Sequence, residues 1–258
     1  MKLRNALPLL AAHFLWVTCA EGQQTSADRN AEIAESALRR AEALIHSGDF
    51  VDALERYTGI AKRYPQTDWS AAALWQVYRL QVRLDNPEGA FEALDRLATQ
   101  QSGHFEQAQT LQLELVRRLM GDMEGERRSL EEVHPAERVK SATVTAMLKR
   151  IIQIGPFSEA GIQSAFYLAL ALEADGKGEE AAKLHEEFLD RHPGHELADD
   201  AAYQVAYIRY KRWKGMRGES PRYREAAAVA LAYFMARYPE SAIPSEKLSL
   251  RREGLGVS

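Results

Sequence analysis

ALERYTGIAKRYP, residues 53–65, begins with an alanine and ends in Arg63-Tyr64-Pro65. The same arrangement returns twice, with an alanine twelve residues before the proline each time: Ala181 before Arg191-His192-Pro193, and Ala227 before Arg237-Tyr238-Pro239. Apolar residues precede each proline at spacings of three and four, and proline cannot continue a helix. The motif therefore predicts an amphipathic helix that occurs at least three times and ends beside the proline.

The similarity extends beyond this helix, because eight residues recur 128 positions later without a gap. They are Ala41, Leu44, Gly48, Ala53, Arg63, Pro65, Ala73 and Trp75, matched by Ala169, Leu172, Gly176, Ala181, Arg191, Pro193, Ala201 and Tyr203. Weaker copies lie 37 residues apart, such as Ala90 after Ala53 and Pro156 before Pro193. A single helix pair cannot bury its own apolar face, so neighbouring pairs must stack. We predict an all-α fold, a right-handed α-solenoid of about five helix pairs.

The middle of the chain is the least regular part of the repeat region. We expect a helix from Leu111 to Met120, a short charged partner from Gly121 to Glu132, and another helix from Ala136 to Ile154. No run shows the alternation of a half-buried strand. The repeat domain is predicted to span residues 30–240, followed by a short tail or truncated helix at 241–258.

The first twenty residues differ from the rest. Lys2 and Arg4 precede an apolar run from Ala6 to Val17 that is too short to span a bilayer comfortably. This composition indicates an export signal over residues 1–20, and a buried helix is the less economical interpretation. Residues 21–29 are polar and unpatterned, which is typical of a tether.

Cys19 is the only cysteine and lies at the end of the apolar run. A lone cysteine cannot form an internal disulfide, and its position resembles the acylated first residue of a bacterial lipoprotein. Trp16 and Thr18 depart from the usual residues of such signals. Two interpretations stay open: lipidation of Cys19, which would hold the chain at a membrane surface, or ordinary cleavage after Ala20.

Composition argues against two large classes of function. The chain has 37 acidic and 33 basic residues and a formal charge of −4, which gives no basis for general nucleic-acid binding. Glycine-rich phosphate loops and nucleophile elbows are missing from the sequence. His192 and His195 flank a proline-glycine turn that spreads them apart, so a structural role is favoured over zinc binding. We expect no enzyme activity, no cofactor and no metal.

The segment from Arg209 to Arg224 is a basic exception within an acidic chain. It carries seven positive charges in sixteen residues, interleaved with aromatic residues. The partner hypothesis is that it binds an acidic protein segment or anionic lipid headgroups. In the alternative, Tyr203, Tyr207, Tyr210 and Trp213 pack in the core while the charges are simply solvated. The candidate partner-binding residues here are Arg209, Arg212, Trp213, Lys214 and Arg217.

A second group of candidates follows from the stacking itself, because the first helix of each pair lines the inner surface of such a stack. From the second pair we select Gln76, Arg79 and Arg83, and from a later pair Gln204 and Tyr207.

Gly48-Asp49-Phe50, Ala53, Arg63-Tyr64-Pro65 and the alanine-rich helix that follows resemble tetratricopeptide repeats. The Arg-Tyr-Pro endings, and the region from Glu180 to Tyr207, look like the outer-membrane assembly lipoprotein of the BamD type. The resemblance covers roughly residues 30–239.

This resemblance implies a non-catalytic scaffold on the periplasmic face of the outer membrane, anchored by lipid. The implied partners are the barrel-assembly complex and unfolded outer-membrane proteins. Little sequence follows Pro239, where that family continues with further helices, so a shorter relative with another partner or a truncated chain is expected. The alternative is a soluble periplasmic tetratricopeptide organiser of other envelope or polysaccharide machinery.

Overall fold

The computed structural model describes residues 29–121, 141–216, 220–243 and 255. Over these residues the chain forms ten α-helices and one 3₁₀ helix (Ser102–His104), and no β-strand. The helices are α1 (29–47), α2 (Phe50–Arg63), α3 (Asp68–Arg83), α4 (Pro87–Gln100), α5 (Phe105–Leu119), α6 (Ser141–Ile154), α7 (Glu159–Ala174), α8 (Gly178–Arg191), α9 (Ala198–Gly215) and α10 (Pro221–Arg237). The predicted all-α fold of about five helix pairs is confirmed for this part of the chain.

The helices divide between two compact units. The first ends at His104 and contains α1 to α4, and the second begins at Phe105 and contains α5 to α10. Within each unit most helices pack mainly on the helices next to them in sequence. Where the connecting loop is short, the two neighbours are antiparallel. This sequential packing is the arrangement of a helical solenoid.

The repeated Arg-aromatic-Pro motif ends three helices in the same way. The last helical residues are Arg63, Arg191 and Arg237, and the residue after each lies at φ −123°, −133° and −129° respectively. In each case its backbone N–H still donates to the carbonyl four residues earlier. The proline that follows has no N–H to donate, so the helix stops there.

The same three helices bury equivalent residues, as the spacing predicts. Ala53, Ala181 and Ala227 are fully buried, where a small side chain lets two helices approach closely. Seven residues further along, a large apolar side chain is buried in each helix: Ile60, Phe188 and Phe234. The helix α4 follows the pattern with Ala90 and Leu97.

Left-handed backbone makes the turn inside three of the pairs. Gly48 follows α1 at φ +87° and Gly176 follows α7 at φ +77°, a conformation that glycine adopts without strain. Asp85 takes the equivalent place after α3 at φ +54°, as a short polar residue can.

In the middle region, α5 and α6 account for the predicted helices at 111–120 and 136–154, and α6 ends at Ile154 as expected. The charged partner predicted for Gly121 to Glu132 lies almost wholly outside the described residues. So do the signal segment, Cys19, nearly all of the tether and most of the tail.

Candidate functional site

The basic segment spans the last turns of α9, the loop after it and the first turn of α10. Arg217 lies outside the described residues, so its role stays a prediction. We define the basic surface by its described members: Arg209, Lys211, Arg212, Lys214, Arg222 and Arg224.

Three members of the basic surface form ion pairs inside the second unit. Lys211 Nζ lies 3.1 Å from Glu173 Oε1 at the end of α7. Arg209 pairs with Glu186, and Arg212 pairs with Glu179, both on α8. Partly exposed pairs of this kind contribute roughly 0–1 kcal/mol each, so they align α9 on its neighbours more than they stabilise the fold.

Two arginines of this surface make further contacts. The Arg212 guanidinium donates to the Tyr223 hydroxyl at 3.0 Å and lies 4.4 Å from the centroid of the same ring. The Arg224 guanidinium donates to the Leu255 carbonyl at 3.1 Å. These cations are therefore not simply solvated, which neither of the two hypotheses anticipated.

Lys214 and Arg222 remain as exposed charges without an acidic partner among the described residues. The Lys214 ammonium lies 5.6 Å from the Trp213 ring centroid, a cation–π contact that leaves its charge accessible. An acidic partner segment would meet these two side chains without competing against an internal ion pair.

Trp213 and Gln204, both selected as partner-binding residues, are buried in the core. Trp213 is 7% exposed and packs in one cluster with α10 residues, while Gln204 has no exposed surface. Neither the Trp213 indole N–H nor the Gln204 amide has a hydrogen-bond partner in the part of the chain that the structure describes. The expected exposure of Gln204 was wrong, because α8 and α10 both pack against α9. That these two residues bind a partner stays a prediction.

The tyrosines around Trp213 follow the core interpretation. Tyr203 is buried and stacks on the half-buried Tyr207, with ring centroids 6.3 Å apart. Tyr210 lies 5.8 Å from Trp213 and packs against the same cluster. Of the two candidates from the later helix pair, Tyr207 is therefore partly exposed to solvent and Gln204 is not exposed.

The three candidates on α3 belong to the first unit. Arg79 and Arg83 are exposed, and Gln76 is half-buried. The Arg83 guanidinium lies 4.1 Å from the Phe50 ring centroid. Trp75 makes edge contacts with both Tyr78 and His104, so a half-buried aromatic group lies beside Gln76. This is a surface with cations and aromatic edges, suited to a peptide with acidic residues.

The His192–His195 turn has a structural task. His195 Nδ1 accepts the Leu197 backbone N–H at 3.1 Å, and Nε2 lies 3.0 Å from Glu159 Oε1. Hydrogen bonds from Gln163 and His195 lower the pKa of the Glu159 carboxyl. Within the described ranges, no three His, Cys, Asp or Glu side chains converge as metal ligands would.

His185 is the most unusual titratable group that the structure describes. It is fully buried, 5.1 Å from Phe166 between ring centroids, and neither ring nitrogen has a hydrogen-bond partner among the described residues. Burial lowers its pKa to about 3, so the imidazole is neutral at physiological pH. It occupies a core position of the repeat and has no exposed surface for chemistry.

Helices long and apolar enough to cross a bilayer are not found in the described portion of the chain.

One repeat family and several solved structures are similar to parts of this chain. No curated protein matches the chain. Among solved structures, a kinesin light chain of Podosopora anserina with TPR-like repeats is 16% identical, with 80% of this chain and 97% of that chain covered and a TM-score of 0.36. A thermophilic TPR protein of Thermus thermophilus is also 16% identical, covering 86% of this chain and 98% of that chain, with a TM-score of 0.37.

The TPR domain of P58(IPK) is 17% identical, covering 86% of this chain and 54% of that chain, with a TM-score of 0.38. TM-scores this low add nothing to what the helices themselves show. The family of tetratricopeptide repeats matches residues 35–67, which hold most of α1, all of α2 and the Arg63-Tyr64-Pro65 ending.

Proposed function

We propose that this chain is a non-catalytic scaffold that binds partner proteins on its helical-repeat surface, on the periplasmic face of the outer membrane. We base this on the tetratricopeptide-repeat match at residues 35–67, together with the recurrence of the same helix end and the same buried positions in later helices. Stacked helix pairs of this type present extended surfaces to other proteins. The resemblance to the outer-membrane assembly lipoprotein of the BamD type supports a role in β-barrel assembly.

The basic surface is the proposed docking site for an acidic partner. Lys214 and Arg222 are the most informative residues to substitute. Arg209, Lys211 and Arg212 already pair with glutamates of the same unit. The α3 surface around Arg79 and Arg83 is the second proposed contact, suited to an extended peptide of a folding barrel protein.

Partner capture from envelope membranes tests this proposal. We expect the full chain to retain a barrel-assembly subunit, and Lys214→Glu with Arg222→Glu to reduce that capture roughly tenfold at physiological salt. Lys183→Glu, an exposed lysine on α8, is the matched control and should leave capture unchanged. If the double variant still captures the partner, the basic surface is not the docking site. If the wild-type chain retains no envelope protein, the scaffold function is contradicted.

Membrane anchoring is proposed through Cys19. Partitioning of the wild type into a detergent phase, with Cys19→Ala in the aqueous phase, is the expected result, because acyl chains supply the only anchor in this proposal. Equal partitioning of both into water would exclude lipidation. That result favours the alternative, a soluble periplasmic organiser of other envelope or polysaccharide machinery, which Thr18 and Ala20 support as the recognised pair of a cleavage signal.

A further inference from the structure

The helix α10 carries an apolar surface that faces solvent. Val229 is 60% exposed and Tyr233 is 51% exposed, and Ala232 and Ala236 beside them are exposed as well. The spacings of three, one and three residues place all four side chains on one side of the helix. We call this group, Val229, Ala232, Tyr233 and Ala236, the outer α10 face.

This face differs from its equivalents in α2, α4 and α8, because each of those helices carries charged residues at the matching positions. The Arg-aromatic-Pro endings align α10 with α8 at an offset of 46 residues. At the positions of Val229, Tyr233 and Ala236, α8 exposes Lys183, Glu187 and Asp190. The same positions hold Glu55, Gly59 and Lys62 in α2, and Glu92, Arg96 and Thr99 in α4. Only α10 of these four helices has no charge there.

The edge of the same face corresponds to a surface that is covered in α8. Glu186 of α8 forms its ion pair with Arg209 of the following helix, α9. Its equivalent in α10 is Ala232, which is exposed. Leu255 packs into the cluster of α9 and α10, yet Val229 and Tyr233 remain exposed to solvent. Ala232, at the edge of the outer α10 face, is therefore apolar and exposed at the position where α8 carries an ion-paired glutamate.

Charge indicates which kind of helix would cover this face. The helix α10 carries Arg222 and Arg224 in its first turn and Arg237 in its last, against Glu225 alone. A second copy of α10 would bring arginines against arginines at both ends, which costs free energy. Residues 244–254 of this chain carry three basic and two acidic side chains, so they do not complement these arginines either.

We infer that the outer α10 face docks an amphipathic helix of another protein, with small and apolar residues on its contact side and acidic residues flanking them. This inference rests on the proposed scaffold function and names a second surface and the chemistry of its partner. The docked helix lies along the outer α10 face, and its carboxylates meet Arg222 and Arg237 at the two ends of α10.

A pair of labelled peptides tests the inference with the full chain. The first is a helix of the length of α10 with leucine and alanine on one side and glutamate beside them, and the second has lysine in place of every glutamate. Fluorescence anisotropy should show binding of the glutamate peptide and roughly tenfold weaker binding of the lysine peptide. Val229→Glu with Tyr233→Glu should weaken the glutamate peptide by a similar factor. Lys183→Ala with Glu187→Ala, at the equivalent positions of α8, is the matched control and should leave binding unchanged.

The contradicting outcomes are distinct. Equal affinity of the Val229→Glu, Tyr233→Glu variant and the wild type, with circular dichroism confirming that both are folded, overturns the inference. A wild-type dimer that this variant dissociates in sedimentation overturns it in favour of a second copy as the occupant. If the glutamate peptide does not bind the wild type while the wild type still captures an envelope partner, the inference fails and the scaffold function stands.

Discussion

Helices α2 and α8 lie 128 residues apart and are built on the same plan, yet they differ in the middle of the buried face. Both contain a buried alanine and a buried large residue and end in Arg-aromatic-Pro. Between these positions α2 buries Tyr57 and α8 buries His185. The position in the repeat decides that a side chain is buried, and the identity of the side chain decides what its burial costs.

That cost differs in kind between the two helices. Burial, with a smaller effect of Glu42, raises the pKa of the Tyr57 hydroxyl, so the hydroxyl stays neutral as it would in water. His185 would be partly charged near neutral pH in water, and burial prevents this. Of these two helices, only α8 therefore couples its packing to pH in the physiological range.

The largest expected effect concerns the large residue of each helix. Phe188→Ala should lower the free energy of unfolding by about 3–5 kcal/mol, and Ile60→Ala by about 2–5 kcal/mol, because each leaves a cavity in a buried position. Urea denaturation followed by circular dichroism measures both. Phe157→Ala is the matched control, because that side chain is 90% exposed and should change stability little. Similar losses for Phe157 and Phe188 would contradict the assigned core.

The pH dependence comes next. The folded-state pKa of His185 is about 3, below its ordinary value of 6.5, so the unfolded chain binds a proton that the folded chain excludes. The contribution of neutral His185 to the free energy of unfolding is fully present above pH 6.5. It is lost as the pH falls toward 3, by up to about 1.4 kcal/mol for each pH unit. His185→Leu should flatten this fall, because leucine binds no proton in either state. Leucine should also fit the site, since Leu94 and Leu231 are buried at the same position in other helices.

The control for this prediction is Phe157→Leu, which changes an exposed side chain without a titratable group and should leave the slope unchanged. Burial also lowers the pKa of His192, so part of the slope remains when His185 is replaced. An identical slope in wild type and His185→Leu would contradict the prediction, because His185 would then bind a proton as readily in the folded chain as in the unfolded one.

A smaller effect tests whether the alanines are equivalent. Ala53→Leu and Ala181→Leu should each destabilise the chain by about 1–3 kcal/mol, because both alanines are fully buried and overpacking strains the neighbours. Thermal unfolding measures the pair. Ala43→Leu, on the exposed side of α1, should be nearly neutral. If leucine destabilises the chain at one alanine and not at the other, the two alanine positions of α2 and α8 are not equivalent in packing.

The smallest effect concerns the helix that follows α2. The Thr67 hydroxyl accepts the Ser70 backbone N–H at 3.2 Å and caps α3, so Thr67→Ala should cost about 1 kcal/mol. Thr110→Ala, which removes a hydroxyl bonded within α5, should stay within about 0.5 kcal/mol. Chemical denaturation compares the two. Equal effects would mean that the cap adds nothing.

The repeat could be predicted from the sequence, because proline and glycine determine the backbone conformation at their own positions. Pro65, Pro193 and Pro239 stop their helices wherever those helices pack, and Gly48 and Gly176 mark the turns. The packing of α9 was not readable in this way. Whether Gln204 is exposed depends on both α8 and α10, and its polar side chain gave a misleading signal.

The basic surface shows the same limit. The sequence shows the concentration of positive charge between Arg209 and Arg224, but the acids that neutralise part of it lie 23 to 38 residues earlier, on α7 and α8. Only the contacts between helices show that Arg209 and Arg212 form ion pairs, whereas Lys214 and Arg222 form none among the described residues. The outer α10 face was likewise missed, although its lack of charge can be seen once α8 and α10 are aligned.

The burial of Trp213 provides an optical probe of the second unit. An indole enclosed by apolar neighbours emits at shorter wavelength than one in water, and α9 is the only described helix of this unit that contains tryptophan. Trp69 and Trp75 belong to the first unit. Replacing Trp213 with phenylalanine would leave fluorescence from the first unit, so the melting of each half can be recorded separately without an added dye.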